Sequence, residues 1–584
     1  MRNNTLKRTP AIISFLILSY ASFGQAKQYF YFSKAWNFIK YYHPDLATGK
    51  IDADSLFLAN IQRINSKQTC DEVIAVLIAD LSKPTSLKKQ FVSKETDLLK
   101  QNQDFGWYEK NSEISKKTRA TLRTIYDNRF TGEDHFYLTK QGWESELPNE
   151  KKYEFKKEEN LPLAYRLLTF AKIQGVVDYL YPYKYLMSNP FDRFGMEKLP
   201  QLIECNTRKE LEEIIARLIS TLEDTHAFRF YEQLKFKKEL FHSTYYPPFD
   251  YQVFNDYILV MNLISPELCT KASLQVGDRI YMVNNQKVSE LIADKSKLLS
   301  SSNQTLLIHK LSAYLSNIVW NNDSPVNTFR VGSNGKERDC VIEFISVTNK
   351  SQVAEINDYF QKKQQSQKTP EAEKKDFAYF KINHIYHLVD TISDDKEIDR
   401  IMDSVLEDAA SKKAIVFDMR GYPDWGGFVH TYIYKYFAEK DNYYHRIYFP
   451  NPENIGTWLY NGAAKEYFPD IPGKTRHSYA GKVFILVNPE TLSASEFYTM
   501  NLQYVFPGAV TIGQTTAGAD GNVKTMNLPG GYELSFTGLG VFYPNGDLTQ
   551  KVGVRITESI NYTDEDVILG RDKEMDKVIE LLEK

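Results

Sequence analysis

The chain has 584 residues, with 72 Lys and Arg against 75 Asp and Glu and a formal net charge of -3, so no strong field of either sign directs it to nucleic acid or to an acidic membrane surface. That length exceeds what one hydrophobic core serves, and a hydrophobic content of 42% builds several folded domains, which excludes a disordered chain. Cys70, Cys205, Cys269 and Cys340 stand far apart; their spacing predicts buried apolar residues, or at most one bridge, and neither a disulfide scaffold nor a metal site. No cofactor is expected.

Arg2, Lys7 and Arg8 precede the apolar run "AIISFLILSYASFG" and then small residues, the pattern of a signal peptide over residues 1–26. The run is shorter than the ~20 residues a membrane span needs, so the expectation is export to the periplasm or the extracellular space, where peripheral association with the cell envelope is open. Two stretches then resemble each other, "FSKAWNFIKYYHP" at Phe32–Pro44 and "FAKIQGVVDYLYP" at Phe170–Pro182, with 170 − 32 equal to 182 − 44. Each carries apolar residues at helical spacing, stops at a proline, and leads into a second amphipathic run, "DEVIAVLIADL" or "RKELEEIIARLISTL". The expectation is a helical hairpin used twice, over 27–84 and 161–232. The second copy alone ends in titratable groups, "EDTHAF", with Asp224, Thr225 and His226 at a helix end. Residues 85–160, rich in Lys, Glu and Asn, read as an exposed and partly extended spacer.

Short β-type runs fill 245–348, with a helix-like stretch near Leu306 to Ile318. "ASLQVGDRIYMVNNQKV" there resembles a PDZ domain, a module that adds a peptide strand to its own sheet edge; the Gly-Leu-Gly-Phe-type carboxylate loop is not evident. Residues 349–375, charged and Gln-rich, read as a linker. From 376 to 584, "FAYFKI", "AIVFDMR", "KVFILVN" and "AVTIGQ" are strand-length apolar runs alternating with helical segments, which predicts an α/β sheet with functional groups after the strands. The fold class is therefore multidomain α/β, with an N-terminal helical region, a PDZ-like β-rich insert and a C-terminal α/β core.

In that core, "NPETLSASEFYTM" places Ser493 between a strand and a helix. A serine at this junction stands beside the positive end of the helix dipole, where an alkoxide is stabilised. The same residues also fit a capping box, Ser493 with Glu496, and the local sequence leaves both readings open.

The segment "VNPETLSASEF", with "IGQTTAGADG" after the next strand, is similar to the C-terminal processing (tail-specific) serine peptidases, and "AIVFDMRGYPDWGG" looks like that family's Asp-Leu-Arg-Gly-Asn-Pro-Gly-Gly loop. The resemblance implies that Ser493 is the nucleophile, and that backbone amides of Ala494 and of Gly426 or Gly427 hold the oxyanion. The Ser-Lys branch of the family has a lysine in the final loop; here Gly513 to Gly521 contains none, and Lys524 stands several residues too late. The tricorn-like branch uses a histidine instead, which implies His226 as general base with Thr225 helping to orient it. That branch also has a glutamate where this chain has Gln550, a neutral amide that can orient a partner but cannot stabilise an imidazolium. Asp224, Glu533 and Asp520 remain as candidate carboxylates. The implied activity is that of an exported serine endopeptidase acting on proteins or peptides. The alternatives are a non-catalytic peptide- or lipophilic-ligand-binding protein on the same fold, and an esterase.

Overall fold

A computed structural model describes residues 9–64, 68–83, 98–132, 134–139, 145–333, 335–366, 376–438, 445–460 and 478–584. They form a mixed α/β multidomain protein of two compact units: Met1–Lys235 with Tyr448–Asn461 and Asn522–Gly540, and Phe236–Ile447 with Gly462–Gly521 and Val541–Lys584.

The first unit is built on the internal repeat. Helices α1 (Thr9–Tyr42), α2 (Ala53–Ile61) and α3 (Cys70–Ala79) are followed, after α4 (Lys116–Asp127), by α5 (Leu163–Gly175), α6 (Phe191–Glu204) and α7 (Arg208–Ser220). The expected hairpin is thus a three-helix unit, and its register never slips: 191 − 53 and 208 − 70 equal the 170 − 32 of the first helices. Even the caps repeat. Thr69 with Glu72 and Thr207 with Glu210 each close a capping box, satisfying the free amides of α3 and α7 in the same way.

The two copies exchange charges. Lys34 of the first pairs with Asp192 of the second at 2.6 Å, and Lys172, its equivalent, pairs with Asp54 of the first at 3.0 Å. Lys34 also meets Asp178, and Lys172 and Lys40 both meet Glu150. These ammonium groups are buried, where an ion persists only with a partner.

Residues 85–160 are not the exposed spacer that composition suggests. Among those described, Gly106–Glu109 and α4 are helical, and Trp107, Tyr108, Leu122 and Ile125 are buried. Apolar residues spaced along otherwise charged helices make them amphipathic, and burial of that face orders the segment. Residues 85–97, 133 and 140–144 of this stretch lie outside the described residues. The signal-peptide expectation falls on α1 and, for residues 1–8, outside the described residues; among the latter, no helix is long and apolar enough to cross a membrane. The unit is completed by the antiparallel hairpin Val523–Leu528 and Tyr532–Thr537. The sequence pattern places this hairpin in the C-terminal core.

In the second unit, five strands run parallel in the order Phe377–Lys381, Ala414–Asp418, Lys482–Val487, Val510–Gly513 and Glu558–Ser559. Their near-continuous apolar runs follow from burial on both faces. One face packs Val416, Phe484, Leu486 and Ile512 against Met575 and Val578 of the C-terminal helix. The β-rich insert is an antiparallel sheet in the order Phe249–Val253, Ile258–Leu263, Arg279–Val283, Val326–Ser333 and Lys336–Glu343, with helix α8 (Gln304–Leu311). The expected linker begins instead as helix α9, Lys350–Ser366. Its residues are good helix formers, and Tyr359 and Lys363 fasten it by donating to the buried Asp250 carboxylate at 2.7 and 2.6 Å. All four cysteines are free and buried, as expected, and burial pushes the Cys70 and Cys269 thiols up to about 12.

Candidate active site

Ser493 is the residue before helix α10, Ala494–Val505, and its backbone stands at φ 54°, ψ −114°. A non-glycine residue there is strained, and such strain is held only where the surroundings over-determine it. The surroundings are dense. Upstream, Thr491 Oγ1 donates to Met419 O at 2.9 Å and receives the Asn488 N–H at 3.1 Å. Downstream, Ser495 donates to Gly421 O, so the Ser493 turn is sewn to the glycine loop from both sides.

Glu496 does more than cap. Its carboxylate accepts the Ser493 N–H at 3.3 Å, the Thr516 hydroxyl at 2.5 Å, and the Gly518 and Ala519 N–H groups at 2.8 and 3.0 Å. Burial raises its pKa, against the lowering effect of these donors. Ser493 and Glu496 form a capping box, the serine side chain facing the Glu496 N–H and the Glu496 carboxylate the Ser493 N–H. Gly513 allows the loop to start: at φ +147°, a Cβ would lie 1.8 Å from Val487 O, which no side chain tolerates.

In the first unit, His226 lies in the 3-10 turn Thr225–Phe228, capped by Asp224. Its Nδ1 is 2.8 Å from Thr537 Oγ1, and Thr537 Oγ1 donates to Asp224 Oδ1 at 2.9 Å. Asp224 Oδ2 also accepts the Thr537 N–H at 2.5 Å, and Asp224 Oδ1 lies 3.5 Å from His226 Nδ1. A hydroxyl has one proton; with that proton on the carboxylate, the Thr537 oxygen accepts from His226 Nδ1–H. The neutral ring then carries its lone pair on Nε2, the state a general base requires. Burial works to raise the Asp224 pKa, but hydrogen bonds and charge from His226 and the Thr537 donors hold it below the usual carboxylate range.

Of the three carboxylates left open by the sequence, Asp224 is therefore the one at His226. Glu533 pairs with Lys152 at the surface at 3.1 Å. Asp520 is buried in the second unit, accepts the Gly521 N–H, and is pushed well up by burial and by Glu496. Thr225 is buried, but the hydroxyl at Nδ1 belongs to Thr537, which sequence reading did not select. Gln550 is fully buried, and neither polar atom of its side chain is hydrogen-bonded among the described residues. Lys524 donates to Thr139 Oγ1 at 3.2 Å within the first unit. Ala494 opens α10, where its N–H has no intrahelical acceptor. Gly426 and Gly427 precede the π-helix Phe428–Ile433, and a Cβ on Gly426 would lie 2.9 Å from the Tyr498 hydroxyl.

Residues 376–560, the α/β core with Ser493, match the model of Peptidase family S41. The match makes this segment similar to a family of serine-type peptidases, which are hydrolases. Among solved structures, the chain is similar to mature CPAF complexed with lactacystin, at 14% identity and a TM-score of 0.47 over 72% of this chain and 98% of that one. It is also similar to the tricorn protease, at 13% and 0.32 over 72% and 37%. A third is the photosystem II D1 C-terminal processing protease, at 15% and 0.31 over 71% and 99%. No curated protein matches.

Proposed function

We propose that the protein is an exported serine peptidase that cleaves peptide bonds of proteins or peptides through an acyl-enzyme on Ser493. Ser493 Oγ attacks the peptide carbonyl carbon, and His226 takes the hydroxyl proton and returns it to the leaving amine. Water then releases the acyl group with the same base. Amides of Ala494 and of Gly426 or Gly427 serve the oxyanion. Asp224 and Thr537 hold the imidazole; Thr225 and Gln550 are given no step.

The observation that carries this reading is the Ser493 backbone, strained at a strand-to-helix turn within the matched family segment. Ser493→Ala and His226→Ala should each abolish hydrolysis of an unfolded protein, and a fluorophosphonate should form an adduct on Ser493 alone. Cleavage at the wild-type rate by Ser493→Ala would sink the mechanism. Export is supported by the N-terminal basic and apolar pattern, and the N-terminal sequence of the mature protein tests it.

A second reading, a non-catalytic binding protein on the same fold, is favoured by Gln550, a buried amide with no hydrogen-bond partner among the described residues where the resemblance places a carboxylate. It predicts no adduct with the fluorophosphonate.

A further inference from the structure

Helix α8 belongs to the β-rich insert and lies outside the matched segment 376–560, yet its two ends touch the two stretches of chain that hold Ser493. At its start, Asn303 caps the helix by accepting the Leu306 N–H on Oδ1 at 3.0 Å. The same side chain turns its Nδ2 to two carbonyls, Thr516 O at 2.8 Å and Lys551 O at 3.3 Å. At its last turn, His309 Nε2 lies 3.2 Å from Glu490 Oε1, and this contact is the first cause holding the Glu490 pKa low.

Both targets lead directly to Ser493. Glu490 stands three residues before it, in the turn where Thr491 N bonds Asn488 O at 3.0 Å. Thr516 gives its hydroxyl to Glu496, whose carboxylate receives the Ser493 N–H. Lys551, itself at φ 69°, donates its N–H to Gly518 O at 2.7 Å, and Gly518 N is another donor to Glu496. One amide nitrogen thus ties two loops that converge on the carboxylate under the serine. A residue at φ 54° is kept there only by such restraint.

We propose that α8 is a strut for the nucleophile turn, with Asn303 and His309 as positioning residues for Ser493. The β-rich insert is then part of the apparatus that sets the serine geometry. This inference rests on the reading of Ser493 as nucleophile.

The test uses the full chain. Asn303→Ser keeps a capping oxygen for the Leu306 N–H and removes the bridging amide, while His309→Leu removes the partner of Glu490. Fluorophosphonate modification of Ser493 and kcat on a peptide should fall about 10- to 100-fold in Asn303→Ser, with KM and the melting midpoint unchanged. Hydrogen exchange should rise over 488–496 and 513–521. His309→Leu should act in the same direction, and His309→Gln, which retains an N–H donor, should restore part of the loss. Wild-type reactivity in Asn303→Ser and His309→Leu, with no faster exchange in the two stretches, would overturn the strut. If the wild-type serine itself does not react with the probe, the peptidase reading fails instead, and the exchange measurement alone decides whether α8 restrains the turn.

Discussion

Thr537 Oγ1 lies 2.8 Å from His226 Nδ1, although 311 residues separate the two in sequence. The threonine relays the Asp224 carboxylate to the ring and so selects the Nδ1–H tautomer. Thr537→Val keeps the shape and removes the acceptor, and should lower kcat about 10- to 100-fold with little change in KM. Thr537→Ser should restore most of it. Asp224→Asn, which can stabilise the wrong tautomer, should cost about 10²- to 10⁴-fold. Steady-state kinetics on one peptide substrate checks all three, and a fully active Thr537→Val would remove the threonine from the mechanism.

Glu496 gathers four donors from the Ser493 turn and the 516–519 loop. Glu496→Gln keeps the volume but turns an amide NH₂ toward groups that need an acceptor. It should destabilise the protein by about 2–4 kcal/mol, read from denaturant unfolding at matched slope. A change below about 0.5 kcal/mol would show that the loop does not depend on the carboxylate.

Acid should weaken the fold through its buried histidines. Burial pushes His135 down to about 4 and His445 down to about 3, so both stay neutral in the folded protein while the unfolded chain takes up protons near the ordinary 6.5. The unfolded state then binds more protons, and stability, whole above pH 6.5, is lost as pH falls toward 4. The slope is about 1.4 kcal/mol per pH unit for each group. His135→Phe should flatten the melting temperature profile between pH 6.5 and 4; an unaltered profile would refute the assignment.

The charges buried in the repeat should behave differently from those outside. Glu150 is the shared partner of Lys40 and Lys172 at 2.5 and 2.8 Å, all three buried. Glu150→Ala strands the Lys40 ammonium and leaves Lys172 with Asp54 alone, and should destabilise by about 3–5 kcal/mol. Glu267→Ala, which removes the exposed partner of Lys271, should leave the unfolding midpoint almost unchanged. Equal effects would mean that burial does not govern these pairs.

Much of this arrangement can be read from local patterns. The strand-to-helix junction at Ser493 and the helix end carrying His226 both announce themselves in short windows, because periodicity and turn residues are local signals. The repeat is visible in thirteen residues and extends unbroken through three helices. The composition of 85–160 and 349–366 misleads, since a few buried side chains such as Trp107, Leu122 and Ile356 suffice to order a charged helix. Thr537 is beyond local reading: nothing in "LSFTGLG" distinguishes an orienting hydroxyl. Its role depends on the 522–540 hairpin joining the helical unit, a long-range choice that short windows do not encode.

The exchanged charges of the repeat have a consequence for how this chain can be cut or shuffled. Each copy carries the counter-ion of the other's buried lysine, Asp54 for Lys172 and Asp192 for Lys34. Deleting the first copy would at once deprive Asp178 and Asp192 of Lys34 and Lys172 of Asp54. What began as a duplicated module has become indivisible, and only a graft that transplants both copies together would keep its interior neutral.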